Sequence, residues 1–389
     1  MKNSLLSFSF ILLTSFSTFQ IFSGSYYSES KPITVDSATT VKLSFVGDLM
    51  CHSVQYQYAR IEKDSFDFTG VYRFVKKYFD ESDFVLGNLE TVTAGKSKNY
   101  SGYPFFNSPN QFVSDLKTVG FDFLFTSNNH SLDRGEIGVI KTIENLTANN
   151  LHYTGTHSSS NDRDSVRIIN IKGINFAFLS YSYGTNGNPI PKGKSFLINL
   201  IDEKLIEIDI ELAKAKNADC IIVYFHFGEE YQREPNLFQR EIVNKTISFG
   251  ADMIIGSHPH VIQPVQIYPS KGKIDSVLVA FSLGNFISNQ RWRYSDAGVI
   301  LQVEVSKFTA KDSISLSKVD FIPTYVFKGN TERGREYIIF PSEIAIADSL
   351  PYFFTSEDKK NARIAFNDTY NIMSKYSNKV NLRKLFSDK

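Results

Sequence analysis

Apolar residues along this chain come in short runs, each closed by a cluster of polar residues. They read VKLSFVGDLMCH (41–52), DFVLGNLE (83–90), DFLFTSNNHSLDRG (122–135), DCIIVYFHFGEE (219–230), DMIIGSHPHV (252–261) and SVLVAFSLGNF (276–286). Short β-rich runs bounded by Gly, Asn, Asp or Pro predict buried strands with the polar residues at their C-terminal ends. Between them the spacing of apolar positions predicts helices over 67–79, 109–118, 135–149, 202–216 and 236–249, the alternation of an α/β domain. The runs SVRIINI and INFAFLSYS, joined by Lys172-Gly173, predict a β-hairpin. In open α/β sheets the carboxyl ends of the strands frame the ligand crevice, so polar clusters far apart in sequence can converge on one site.

The last third changes period. Residues 263–268, 275–282, 297–306 and 313–322 read as successive antiparallel strands, a second sheet or an extension beside the first. From 331 to 389 the chain turns polar and reads as a helical extension. Ala362, Phe366, Tyr370 and Met373 share one face of a helix there, and the mixed charges opposite them predict a packing surface. The expected organisation is a leader over 1–24, a linker over 25–40, the main domain over 41–330 and the extension over 331–389.

The leader rests on Lys2 followed by an apolar stretch from Leu5 to Phe22 without acidic residues, then Ser23, Gly24 and Ser25. That pattern predicts a secretory signal and export to the periplasm or cell surface, with an uncleaved N-terminal anchor as the alternative. A hydrophobic share of 42% and a charged share of 21% are ordinary for a globular protein, and a formal charge of +1 gives no basic field, so a nucleic-acid partner is not expected. Cys51 and Cys220 lack a CxxC context and are not counted as ligands. An exported protein could pair them, but two cysteines alone do not establish a disulfide, and buried free thiols are the favoured expectation.

Five of the seven histidines, His52, His130, His226, His258 and His260, fall in these polar clusters. A lone histidine is more often structural, but His258-Pro259-His260 sets two imidazoles two residues apart, where an extended segment would let them meet neighbouring metals. Asn128, Asn129 and Asp133 beside His130 add oxygen donors and a carboxylate able to orient an imidazole. Asp48 and Glu90 end apolar runs and are preceded by glycines that let the backbone turn. Carboxylate, carboxamide and imidazole together suit Mn, Fe or Zn, and two ions about 3.5–4 Å apart could share one carboxylate, most naturally Glu90. Two such cations neutralise charge that builds up in an in-line displacement, and phosphoesters are the substrates that most need this.

The series GD(48), GNLE(90), NNH(130), H(226) and GxHxH(260) resembles the calcineurin-like metallophosphoesterases. More closely it is similar to their CapA (PgsA-type) branch, associated with poly-γ-glutamate capsule synthesis. That match rests on FVGDLM, GNLET, the stretch PFFNSPNQFVSDLKTVGFDFLFTSNNHSLDRGEIG, the stretch HFGEEYQREPNLFQREIVNKTISFGADMIIGSHPHVIQPVQIY, and FSLGNFIS, in order over about residues 43 to 323. The resemblance implies an α/β fold, a metallophosphoesterase-like two-sheet sandwich flanked by helices in four layers, α-β-β-α. It implies a dinuclear centre with Asp48, Glu90 and His260 at one ion and Glu90, Asn129, His226 and His258 at the other. It makes His130 the general acid, oriented by Asp133, and gives Glu230 a substrate-contacting or supporting role. The chain departs from the wider superfamily at its first motif, where Asp-x-His becomes Asp48-x-Met50, and His52 is the nearest imidazole that could reach the first ion.

The loop FSLGNFISNQRWRY (281–294) supplies further substrate-binding candidates. Asn285 and Arg291 offer hydrogen bonds to an anion and Trp292 offers a stacking face, while Arg293 reads as solvated. Tyr183 and Asn186 are weaker candidates. The reading is an exported, metal-dependent phosphoester hydrolase acting on a phosphorylated or polyanionic envelope substrate. The alternative is an accessory protein without turnover, working with membrane-bound partners that make or export poly-γ-glutamate or another anionic polymer.

Overall fold

The computed structural model describes residues 38–270, 274–309, 313–347 and 350–385; the expected leader and residues 25–37 of the expected linker lie outside them. In chain order the strands are β1 Ala38–Leu49, β2 Arg60–Glu62, β3 Ser65–Phe66, β4 Phe84–Leu89, β5 Phe123–Phe125, β6 His152–Thr154, β7 Arg167–Ile171, β8 Ile174–Ser182 and β9 Cys220–His226. They continue as β10 Met253–Ser257, β11 Val265–Pro269, β12 Ser276–Ala280, β13 Asn285–Ile287, β14 Ala297–Phe308, β15 Ser313–Thr331, β16 Gly334–Pro341 and β17 Val380–Leu382. The helices are α1 Ser53–Tyr58, α2 Lys76–Asp80, α3 Asn110–Val119, α4 Gly135–Ala148, α5 Ser160–Arg163, α6 Glu203–Ala215, α7 Leu237–Phe249 and α8 Ser356–Met373.

Two large sheets form. The first runs β16-β15-β14-β1-β4-β5-β6, with β13 beside β1 and β17 beside β15; the second runs β11-β12-β10-β9-β8-β7. Central strands such as β9 (CIIVYFH) are buried along their whole length, which is why they read as unbroken apolar runs. The sheets face each other through one core in which Phe45 and Phe125 of the first meet Phe178 and Tyr224 of the second. Phe125 stacks on Tyr224 at 4.1 Å and Phe123 lies 4.6 Å from Phe178, so aromatic contacts across the sandwich add to the roughly 2–3 kcal/mol that burying each such ring contributes. A second core packs α3 and α4 on the outer face of the first sheet, and a third packs α6 and α7 on the outer face of the second. The result is the expected α-β-β-α sandwich.

Helix ends follow local chemistry. Asp202 Oδ1 accepts from Leu205 N at 2.8 Å to cap α6, and Asn236 and Gln239 form a reciprocal box at the start of α7. The helix expected over 67–79 is replaced by a 3-10 turn at Thr69–Tyr72 and the short α2. Asp67 Oδ1 accepts from Thr69 N at 2.8 Å, and Asp115 Oδ2 accepts from Phe68 N at 2.7 Å, so this stretch is tied to a turn and to α3 before a helix can start.

The four C-terminal strands are divided between the sheets. β12 runs parallel to β10 and β11 closes that sheet's edge, whereas β14 and β15 pair antiparallel beside β1 in the other sheet. β15 continues through Pro323 to Thr331, and residues 331–389 are not helical throughout, because β16 pairs with β15 and β17 adds a parallel edge. Along α8 the buried positions are Ala362, Ala365, Thr369, Ile372 and Met373. Compared with the expected face, Tyr370 is exposed and stacks on Phe366 at 6.2 Å. Cys51 and Cys220 are free, buried thiols.

Candidate metal centre

The polar clusters at the ends of β1, β4, β9 and β10 meet at one end of the sandwich. Asp48 is drawn into place by close packing at Gly47, where an added Cβ would lie 1.8 Å from the Gly284 carbonyl oxygen. This glycine therefore permits close approach of two backbones, where the sequence suggested a turn. The contact lets Asp48 N donate to Gly284 O at 2.9 Å. Gly256 does the same near the end of β10, where a Cβ would lie 2.1 Å from Phe281 O. The segment beyond it is not extended: His258 and His260 have φ of 98° and 56°, left-handed conformations that aim both imidazoles into the crevice and that non-glycine residues adopt only when the surroundings demand it.

Glu90 lies at the middle. Its ligand-type oxygens group with His226 and His258 on one side and with Asp48 and His260 on the other, each trio having its donor atoms within 4.8 Å of one another. Glu230, exposed at the rim, forms a third group with His258 and His260. His226 Nε2 is 3.5 Å and His260 Nε2 is 3.8 Å from Glu90 Oε1. Asn129 Oδ1 is 3.0 Å from His226 Nε2, beside the first trio. The residues assigned by resemblance to each ion thus lie together, with Glu90 common to both.

The chemistry of this donor set fits divalent cations. Glu90 is fully buried, and among the described residues neither carboxylate oxygen has a hydrogen-bond partner and the buried His258 Nδ1 is also unpartnered. A buried carboxylate without a partner is costly, and the nearest relief for its charge would be a cation between the imidazoles. Burial and the neighbouring Asp48 push the Glu90 carboxyl well above its ordinary range. Burial and then the neighbouring imidazoles pull His258 down to about 3, and burial pulls His226 well below its usual value. Neutral imidazoles are the form that ligates metals. For Asp48 burial works upward, but the His260 hydrogen bond and the charges of His260 and His226 overcome it and hold the carboxyl well below the carboxylate range.

A supporting layer fixes the donors. Asn285 Oδ1 lies 3.1 Å from His260 Nδ1, while its Nδ2 donates to Gln290 Oε1 and Ser295 O. The amide is thereby committed behind the imidazole, and this is its observed position in place of a substrate-facing one. Asn88, which sequence reading passed over, donates through Nδ2 to Asp48 Oδ1 at 2.8 Å and lies within 3.3 Å of His226 Nδ1 and 3.2 Å of Ser257 Oγ. Its Oδ1 accepts from Asn128 Nδ2, linking three of the converging loops. The only sequence signal for it was its place inside GNLE.

His130 stands in the loop after β5 with its Nδ1 2.8 Å from Asp133 Oδ2. The carboxylate accepts, so Nδ1 carries the proton and Nε2 faces Asn186 Nδ2 at 3.5 Å. Asp133 is itself held by Phe106 N at 2.6 Å and Asn188 Nδ2 at 3.4 Å. His52 joins none of the three donor groups among the described residues. It precedes α1, bonds Gln55 and packs edge-on against Phe106 at 5.0 Å, with Phe106 in turn against His130 at 4.7 Å. Burial lowers its pKa to about 4.

Arg291 turns inward, donating to Tyr325 OH at 2.9 Å, so it does not offer a fork to a ligand at the centre. Trp292 is half exposed and lies edge-on to Tyr231 at 5.1 Å, which lies 6.2 Å from His260, placing it at the rim. Tyr183 covers His258 at 4.5 Å. Arg293 pairs with Asp368.

Comparison with known proteins agrees with the resemblance read from the motifs. The chain is 28% identical to the PGA biosynthesis protein CapA of Bacillus subtilis over 72% of its own length and 71% of that protein. It is 29% identical to the capsule biosynthesis protein CapA of Bacillus anthracis over 60% of its length and 57% of that protein. Among solved structures it is similar to the NAD nucleotidase of Haemophilus influenzae, with TM-score 0.45 and 12% identity over 90% of this chain and 65% of that one. It is also similar to the calcineurin-like phosphoesterase YfkN from Bacillus subtilis, with TM-score 0.43 and 15% identity over 86% and 99%. The family model for bacterial capsule synthesis protein PGA_cap matches residues 42–290, and the chain belongs to that family.

Proposed function

We propose that this protein is an exported, metal-dependent phosphoester hydrolase of cell-envelope or capsule metabolism, working with two divalent cations of the Mn, Fe or Zn type. The observation that carries the reading is the buried, unpartnered Glu90 carboxylate shared by two donor trios, with the His130–Asp133 pair in the adjoining loop. Asp48, Glu90 and His260 would hold one cation, and Glu90, Asn129, His226 and His258 the other. When bound, the cations supply Lewis-acid stabilisation of the phosphoryl charge.

The chain's own residues do the rest. His130 delivers a proton from Nε2 to the leaving oxygen, and Asp133 fixes the ring through Nδ1 and stabilises the imidazolium form that precedes transfer. Asn88 and Asn285 keep Asp48 and His260 from rotating. Phe106, packed against His130, shields that ring from water on one side. The test is hydrolysis of an aryl phosphate ester by manganese-loaded protein, with His130→Ala losing turnover while retaining metal.

A second reading is favoured by the similarity to proteins named for poly-γ-glutamate biosynthesis. In it the same centre serves synthesis, attachment or export of an anionic polymer beside membrane-bound partners, without turnover. Loss of surface polymer in a deletion strain, rescued by His130→Ala, would select it. The N-terminal segment over 1–24 acts as export signal or anchor in either reading.

A further inference from the structure

Beside the metal centre a pocket of about 640 Å³ opens with His258 in its lining, and Tyr183, Glu229, Glu230 and Phe238 stand around it. A volume of this size holds a small organic group. Tyr183 lies against the His258 ring at 4.5 Å, and Tyr183 and Phe238 are 43% and 46% exposed. No lysine or arginine lines the pocket, and neither glutamate has an ion-pair partner among the described residues. The two cations nearest in sequence are committed elsewhere: Arg240 lies near Glu234, and Arg233 sits over Tyr294 and donates to the Asp368 carbonyl.

Two unneutralised carboxylates with aromatic faces attract a cation and repel further anions. We propose that this pocket receives the ammonium end of a zwitterionic phosphoester, whose phosphoryl group points to the metal centre. Aromatic rings take the face of the ammonium and Glu229 supplies the counter-charge, with Glu230 shared between the pocket and the His258–His260 side of the centre. A run of carboxylates or phosphates is excluded from this position by the same charges. The proposal rests on the phosphoester reading of the centre and narrows its substrate class.

Calorimetric titration of manganese-loaded, full-length protein with inorganic phosphate, phosphocholine and glycerol 3-phosphate tests it. Phosphocholine is expected to bind about tenfold more tightly than glycerol 3-phosphate, the scale of a cation–π contact with a counter-ion. Glu229→Gln and Tyr183→Leu, both at partly exposed positions, should each reduce that ratio to about threefold or less. If inorganic phosphate binds but the two esters bind equally, or glycerol 3-phosphate binds better, the ammonium pocket is overturned while the phosphoester reading stands. If none of the three binds, both readings are overturned.

Discussion

Replacing Glu90 by Gln separates a carboxylate kept for cations from one that merely packs. Both Glu90 oxygens are buried without a hydrogen-bond partner among the described residues, and burial together with Asp48 raises the carboxyl well above its ordinary value. A carboxyl whose folded pKa exceeds its unfolded one stabilises the fold below the unfolded value and loses that contribution as pH rises. At neutral pH the metal-free protein therefore carries a penalty that the neutral amide of Gln relieves, by about 1–3 kcal/mol on the scale of buried unsatisfied groups. At about 2 °C per kcal/mol, the metal-free variant should melt roughly 2–6 °C higher than the parent at pH 7.5. Added manganese should act in the opposite order. The parent gains about 2.7 kcal/mol at a hundredfold excess over Kd, whereas the variant, lacking the donor common to both trios, gains almost nothing. Melting followed by circular dichroism, with chelator and with manganese, reads both effects. A variant that is less stable without metal and still gains the parent's full shift refutes the reasoning.

Other outcomes follow from the same geometry. His130→Ala should lower kcat for an aryl phosphate by about 10²–10⁴-fold with metal content per chain unchanged, measured by turnover and elemental analysis. His258 has a folded pKa of about 3 against 6.5 unfolded, so its contribution is complete above pH 6.5 and falls with acidification. Metal-free protein should lose about 1.4 kcal/mol per pH unit from this residue between those values, and His258→Gln should flatten that part of a urea-denaturation pH profile. Gly47→Ala places a Cβ 1.8 Å from Gly284 O and should cost about 2–3 kcal/mol in urea midpoint stability while weakening metal retention. Cys51, whose thiol is pushed up to about 12 by burial, should resist a thiol reagent in the folded protein and react after unfolding.

Much of this arrangement was legible because buried strands advertise themselves. The runs ending at Asp48, Glu90, His226 and Ser257 are largely apolar, and parallel order within each sheet then dictates that their polar tails share one edge. What escaped was information held in pairs of residues. Asn88 is an uncharged residue within a strand, and its role appears only when β1, β9 and β10 bring Asp48, His226 and Ser257 around it. Asn285 and Arg291 read as ligand contacts because their local sequence is polar and loop-like, yet tertiary partners absorb both. The strand expected over 313–322 is longer in the fold, where β15 continues through Pro323 between β14 and β16. With that edge hidden, the alternating GREYIIFP of β16 looked like part of a helical extension.

Anomalous diffraction from manganese-soaked crystals, recorded at the manganese edge, addresses the central claim directly. The account predicts two peaks flanking the Glu90 carboxylate, one toward Asp48 and His260 and one toward His226 and His258. The absence of any peak at Glu90, or binding only at the exposed acidic surface, would contradict it.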